Sequence, residues 1–125
     1  MNTLEKFLKL RNHVNKVERK GLVYGASFSE FVILKAIHEQ GELGIRRNDL
    51  AELVSLSVSG VTRALAPLEK LGYIERLDEA MDARVRKVGL TTTGAELYLD
   101  LLRDVEDRMD QTKQQLEELL VELTN

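Results

Sequence analysis

The stretch from Leu50 to Leu77, LAELVSLSVSGVTRALAPLEKLGYIERL, constrains this chain more than any other. Asp49 to Val54 reads as a short helix with Leu50, Ala51 and Leu53 or Val54 facing inward. Ser55 to Ser57 reads as a turn. Ser57 is a natural N-cap, because a serine hydroxyl accepts from a free backbone N–H of the first helical turn. In the helix that follows, Val61, Leu65, Leu68 and Leu71 recur at steps of four, three and three, the mark of one buried helical face. Gly72 ends it, as a glycine just past a helix does. Two helices joined by three or four residues make a helix-turn-helix. The helix crossing needs a small residue, and Ala51 fits; an apolar lock is needed ten positions later, and Val61 fits. The turn favours glycine four residues after the small one. Ser55 stands there instead, and it is strained if its φ is positive.

Past Gly72 the period changes from helical to extended. Tyr73 to Asp78 and Arg84 to Leu90 read as strands, and Glu79 to Ala83 as a polar tip. Together they predict a hairpin with a loop of about five residues. Thr91 caps a last helix that runs to about Leu123, with apolar residues at Leu97, Leu101, Val105, Met109, Leu116, Leu119, Leu120 and Leu123. Before the central stretch, Leu4, Phe7, Leu8, Val14 and Val17 form a helical stripe over Thr3 to Lys20, ended by Gly21. After the linker Leu22 to Ala26, Ser27 and Glu30 have capping-box spacing. Phe28, Phe31, Leu34 and Ile37 then repeat every third residue, and Gly41 and Gly44 bracket the next turn. Pro67 lies inside a helical run, where it removes one backbone bond and crowds the Arg63 carbonyl, so a local kink is expected. The expected fold is mainly α with a small β-hairpin wing, in one domain spanning 1–125. A winged helix-turn-helix lobe occupies 27–91, between flanking helices at 3–20 and 92–123.

Composition narrows the class of function. The chain has no cysteine, which excludes disulfides, thiolate metal sites and cysteine redox sensing. No apolar run approaches the roughly 18 residues of a membrane span. Charges from Glu5 onward argue against a signal peptide, so a cytoplasmic protein without membrane attachment is expected. The net charge of −3 is unevenly spread. Met1 to Gly44 carries +2, Ile45 to Leu90 carries +1, and Thr91 to Asn125 carries −6. The acidity therefore sits in the C-terminal tail and does not count against a polyanionic partner.

The second helix of the central motif opens with Ser57, Ser59, Gly60, Thr62 and Arg63. Short hydrogen-bonding residues with one long forked donor suit a helix end that approaches base edges and phosphates. Backbone N–H groups at that end can also hold a phosphate. Read alone, each serine is as well explained as a cap; the set favours double-stranded DNA.

These pieces, in this order, resemble the multiple antibiotic resistance regulator (MarR) family of bacterial transcription factors. ASFSEFVILKAI is similar to the family's second helix, and the Leu50–Leu77 stretch to its helix-turn-helix. Asp82-Ala83-Arg84, followed by Leu90-Thr91-Thr92-Thr93-Gly94, resembles its wing signature. The resemblance implies an obligate homodimer that straddles a pseudo-palindromic operator, with the first and last helices interlocked. It implies repression as the commoner behaviour, and release by a small-molecule ligand as in many relatives. It would place Ser57 to Leu71 in the major groove and Arg84 at the minor groove, where narrow A·T tracts attract arginine. Asp82 would hold Arg84 in place. Arg86, two residues on along the same strand face, is a candidate phosphate contact. Family members often cap the helix before LAEL with Thr or Ser; here that residue is Arg46, so the cap is lost. Arg46 and Arg47 are candidates for the DNA backbone, with a solvated face the equal alternative.

A dimer also follows from the terminal helices, whose Leu101, Met109, Leu116 and Leu120 would leave an exposed apolar stripe on a monomer. Arg11, His13, Tyr24 and His38 are the candidates for a small aromatic or anionic effector. Two distant histidines without ligand spacing make a zinc site improbable. No nucleophile elbow, phosphate loop or acid–base pair stands out, so neither an enzyme nor a cofactor is expected. The alternative from another class is a winged helix that binds protein instead of DNA. The arginines at 63, 84 and 86 weigh against it.

Overall fold

The computed structural model describes the backbone of residues 1–79 and 82–125, and the side chains of 1–77 and 86–125. Among the described residues are five α-helices and three strands. In chain order they are α1 (Thr3–Arg19), α2 (Phe28–Glu39), β1 (Ile45–Arg46), α3 (Arg47–Leu53), α4 (Val58–Lys70), β2 (Ile74–Glu79), β3 (Asp82–Leu90) and α5 (Thr92–Thr124). The chain divides into two compact units, one of residues 29–100 and one of residues 1–28 with 101–125. No described helix is long and apolar enough to cross a membrane.

In the 29–100 unit, the predicted apolar stripes become the core. Phe31, Leu34 and Ile37 of α2 are buried, with Ile33 and Ala36 beside them. α3 buries Leu50 and Ala51, and α4 buries Val61, Leu65 and Leu68. Of the two alternatives read as inward at the end of α3, Val54 is half-buried and Leu53 exposed; Leu71, also read as inward, is exposed. Leu53 and Leu71 both sit at the end of a helix, where the chain turns away before the stripe is complete. α4 runs through Pro67 to Lys70, so the proline does not end the helix. Phe31 stacks on Tyr98 at a centroid distance of 5.8 Å.

The wing is larger than the hairpin expected. Strand order is β1-β3-β2, all antiparallel, with Ile45 opposite Val88 and Arg46 opposite Lys87. β1 has two residues, too few to show alternation in the sequence. β2 and β3 also reach further toward the tip than the expected five-residue loop allowed, since Glu79 pairs with Asp82. The register shifts between Asp78, opposite Arg86, and Glu79. Residues 83–85 are thus extra on β3, an irregularity of the kind that bends and twists a strand end.

Two junctions hold the wing to the helices. The Thr91 amide donates to the Tyr73 carbonyl at 3.1 Å. Its hydroxyl donates to the Gly72 carbonyl at 2.6 Å and accepts the Gly94 amide at 3.0 Å, which makes Thr91 the cap of α5. Gly94 lies so close to the strand that a Cβ there would be 1.9 Å from the Tyr73 carbonyl oxygen. The Leu90–Gly94 signature is therefore a structural joint between the end of α4, the start of β2 and the start of α5.

In the other unit, α5 holds the chain that follows α1. Arg108 donates to the carbonyls of Val17 (3.1 Å), Lys20 (2.5 Å) and Gly21 (3.0 Å), closing the C-terminal end of α1. One turn earlier on α5, Asp104 accepts the Val23 amide at 2.8 Å. Lys9 of α1 pairs with Glu122 of α5. α1 buries none of its residues. Leu4, Phe7, Leu8, Leu10 and Val14 are exposed, Leu4 and Phe7 by 64% and 60%. The stripe read on the last helix needs one correction: Leu101 is fully buried within the single chain. Met109 and Leu116 are half-buried and Leu120 is exposed, so the uncovered apolar surface lies mostly on α1 and at the far end of α5.

Candidate nucleic-acid interface

The turn between α3 and α4 explains how the second helix is aimed. The Ser55 amide donates to the Glu52 carbonyl at 3.4 Å and the Leu56 amide to the Ala51 carbonyl at 3.0 Å. These are the two bonds of a Schellman motif, with Ser55 in the left-handed position that normally takes glycine. Its φ is 57°, so the strain that the sequence left conditional is present. The same motif ends α4 with a glycine in place: Gly72 (φ 81°) donates to Glu69 at 3.0 Å and Tyr73 to Leu68 at 2.9 Å.

α3 starts at Arg47, two residues earlier than its sequence pattern suggested, with Arg46 in the N-cap position and no side-chain cap there. α4 is capped as expected, by the Ser57 hydroxyl, which accepts the Gly60 amide at 3.0 Å. A Cβ on Gly60 would stand 3.1 Å from that hydroxyl, so Ser57 and Gly60 form one tight cap. The amides of Val58 and Ser59 have no acceptor within the helix. They point out of its N-terminus with the positive end of the helix dipole.

Ser59, Thr62 and Arg63 are exposed, and steps of three and four put them on one helix face. Val61, Leu65 and Leu68 lock the opposite face into the core. The described residues give the Arg63 guanidinium no hydrogen-bonding partner, leaving its forked donors to the surface. Arg46 and Arg86 are also exposed. Arg47 is half-buried and donates from its terminal nitrogen to the Thr62 hydroxyl at 3.2 Å. Spacing had not linked these two residues, because a contact between helices has no period. The side chains of Asp82 and Arg84 lie outside the described residues, so the support of the wing arginine by Asp82 does too. β3 does carry both positions near its outer end.

The residues proposed for an effector are divided between the two units. Arg11, His13 and Tyr24 belong to the unit of 1–28 with 101–125, and His38 to the other. His13 lines an apolar cavity of about 190 Å³ with Val14, Val17, Glu18, Phe28, Met109, Thr112 and Leu116. Arg11 and Tyr24 are exposed outside it. His38 lies against Tyr98 at a centroid distance of 4.5 Å. Among the described residues no group of three or more acidic or histidine side chains could hold a metal ion.

Comparison with known proteins agrees with this geometry. The MarR family model matches residues 27–85. The regulator SarZ of Staphylococcus epidermidis is 29% identical over 105 residues, covering 82% of this chain and 70% of its own. A mutant of Escherichia coli MarR superposes with a TM-score of 0.74 at 25% identity, over 100% of this chain and 98% of that one. An S. aureus MepR mutant bound to an oligodeoxyribonucleotide gives 0.66 at 23% identity, over 99% and 95%. MepR also has a structure with ethidium bromide. A capped helix-turn-helix, a three-stranded wing and these relatives agree: over residues 27–85 the chain matches the MarR family, and its fold is that of the family's winged helix-turn-helix transcriptional regulators.

Proposed function

We propose that this protein is a sequence-specific repressor that binds double-stranded DNA as a homodimer across a pseudo-palindromic site. The observation that carries the reading is the outer face of α4. It combines the amides of Val58 and Ser59, which have no acceptor within the helix, with the short polar side chains of Ser59 and Thr62 and the forked donors of Arg63. The amides suit a phosphate and the arginine suits the acceptor edge of guanine in the major groove. Arg84 and Arg86 on β3 would reach the flanking backbone and minor groove, with Arg46 beside them. Two copies are supported by the five exposed apolar side chains of α1, a larger apolar surface than a lone domain usually carries uncovered. A dimer seated over a promoter represses by excluding the transcription machinery.

Release by a ligand fits the apolar cavity beside His13, and MepR provides a relative found with both DNA and a small molecule. The lining favours an apolar or aromatic ligand over a purely anionic one, because it contains Glu18 and no lysine or arginine.

Titration of binding to random-sequence duplex against salt tests the core of the reading. Affinity should fall linearly in log–log form, with a slope of about −0.9 per phosphate contacted. Selection from random duplexes should then return a two-fold-related site, and sedimentation should give twice the chain mass. Absence of binding at low salt would reject DNA as the partner.

A further inference from the structure

The hydrogen-bonding state of one hydroxyl on α4 is set before any DNA arrives. Arg47, the first residue of α3, reaches across to α4 and donates to the Thr62 hydroxyl oxygen at 3.2 Å. An arginine side chain has donors only, so Thr62 must be the acceptor. Its single proton then has no partner among the described residues, and the side chain is exposed. A mid-helix threonine otherwise tends to turn its hydroxyl back onto the carbonyl four residues earlier, here that of Val58. Arg47 competes with that arrangement. The cation beside the oxygen also polarises the O–H bond and strengthens it as a donor.

Packing alone does not call for this arginine. Its Nε is buried and has no hydrogen-bond partner, a state that burial normally penalises. A methionine would fill the same space between α3 and α4 and orphan no donor. The guanidinium is kept there at a cost, and the Thr62 oxygen is what it touches.

We propose that Arg47 is a positioning residue that fixes Thr62 as an outward hydrogen-bond donor, so that Thr62 recognises an acceptor atom of the bound DNA. This rests on the reading of α4 as the DNA-reading helix. The acceptors available are purine N7, guanine O6, thymine O4 and the phosphate oxygens. Exocyclic amino groups of adenine and cytosine present a donor and are excluded.

The test uses the full-length protein and a duplex obtained by selection. Binding is compared on duplexes in which single acceptor atoms are removed, by base analogues lacking N7, O6 or O4 and by neutral methylphosphonate linkages. The base analogues and the methylphosphonates separate the two sources of the acceptor. For the wild type, one such removal costs roughly three- to tenfold in affinity, the worth of one hydrogen bond. Thr62→Val binds more weakly and no longer senses that removal. Arg47→Met, with its urea unfolding midpoint measured alongside, also loses the sensitivity although Thr62 is intact. Thr62→Ser regains it only when Arg47 is present. If Arg47→Met stays folded and keeps the full wild-type sensitivity, the positioning role is overturned. If Thr62→Val still senses the same atom, the donor role is overturned. Failure of the wild type to bind any duplex rejects instead the DNA reading on which both depend.

Discussion

Ser55→Gly should make this protein more stable, and the magnitude can be worked from two copies of one motif in the same fold. Ser55 and Gly72 occupy the same position of two Schellman motifs, with φ of 57° and 81°. A left-handed backbone costs an L-residue about 1–2 kcal/mol. Replacing serine by glycine removes that cost but adds about 0.4–1 kcal/mol of chain entropy to the unfolded state. The net gain is about 0.5–1 kcal/mol, or roughly 2–5 °C in Tm for a chain of this size. Gly72→Ser should lose a similar amount. A Cβ at Gly72 would meet nothing within 4 Å, so no clash adds to the conformational cost. Urea unfolding at one fixed protein concentration measures both, since association couples stability to concentration. The midpoint should rise for Ser55→Gly and fall for Gly72→Ser, with the slope m unchanged. A midpoint for Ser55→Gly at or below wild type would refute the account of strain in the turn.

Gly94→Ala should be far more damaging, by about 3 kcal/mol or more, because its Cβ would stand 1.9 Å from a backbone oxygen that no rotamer change can move; the same urea measurement checks it. Arg63→Ala should weaken binding to a selected site by roughly 1–3 kcal/mol and relax preference at one base pair; an unaltered selection profile would remove Arg63 from the reading set. Arg84→Ala should reduce operator affinity with the unfolding midpoint unchanged, and unchanged affinity would remove the wing from the interface. Removing the apolar side chains of α1 by Leu4→Glu with Phe7→Glu should halve the mass seen in sedimentation, and a persisting dimer would locate the subunit interface elsewhere.

The helices were legible in the sequence because each is set by local rules. Stripes at steps of three and four marked the buried faces of α2 and α4. Ser57 and Thr91 marked helix starts, and Gly72 a helix end. The departure at Ser55 was legible too, as a residue whose strain depended on a dihedral. The wing was partly legible. Its strands showed as an extended run, but β1 has two residues and takes its place only by pairing with β3. The reach of β2 and β3 toward the tip was also a matter of pairing.

What the sequence by itself determined is the set of local elements and their order, which is enough to identify the helix-turn-helix and its family resemblance. Tertiary structure decided which side chains meet. It put Leu101 fully inside, although the same stripe continues through half-buried Met109 and Leu116 to exposed Leu120. It turned the Leu90–Gly94 signature into a joint against Tyr73. It brought Arg47, fifteen positions away in sequence, onto Thr62. The physical reason is common to all three. Periodicity and capping act within a turn or two of chain, whereas burial and contacts between elements depend on how the elements pack, which no local pattern encodes.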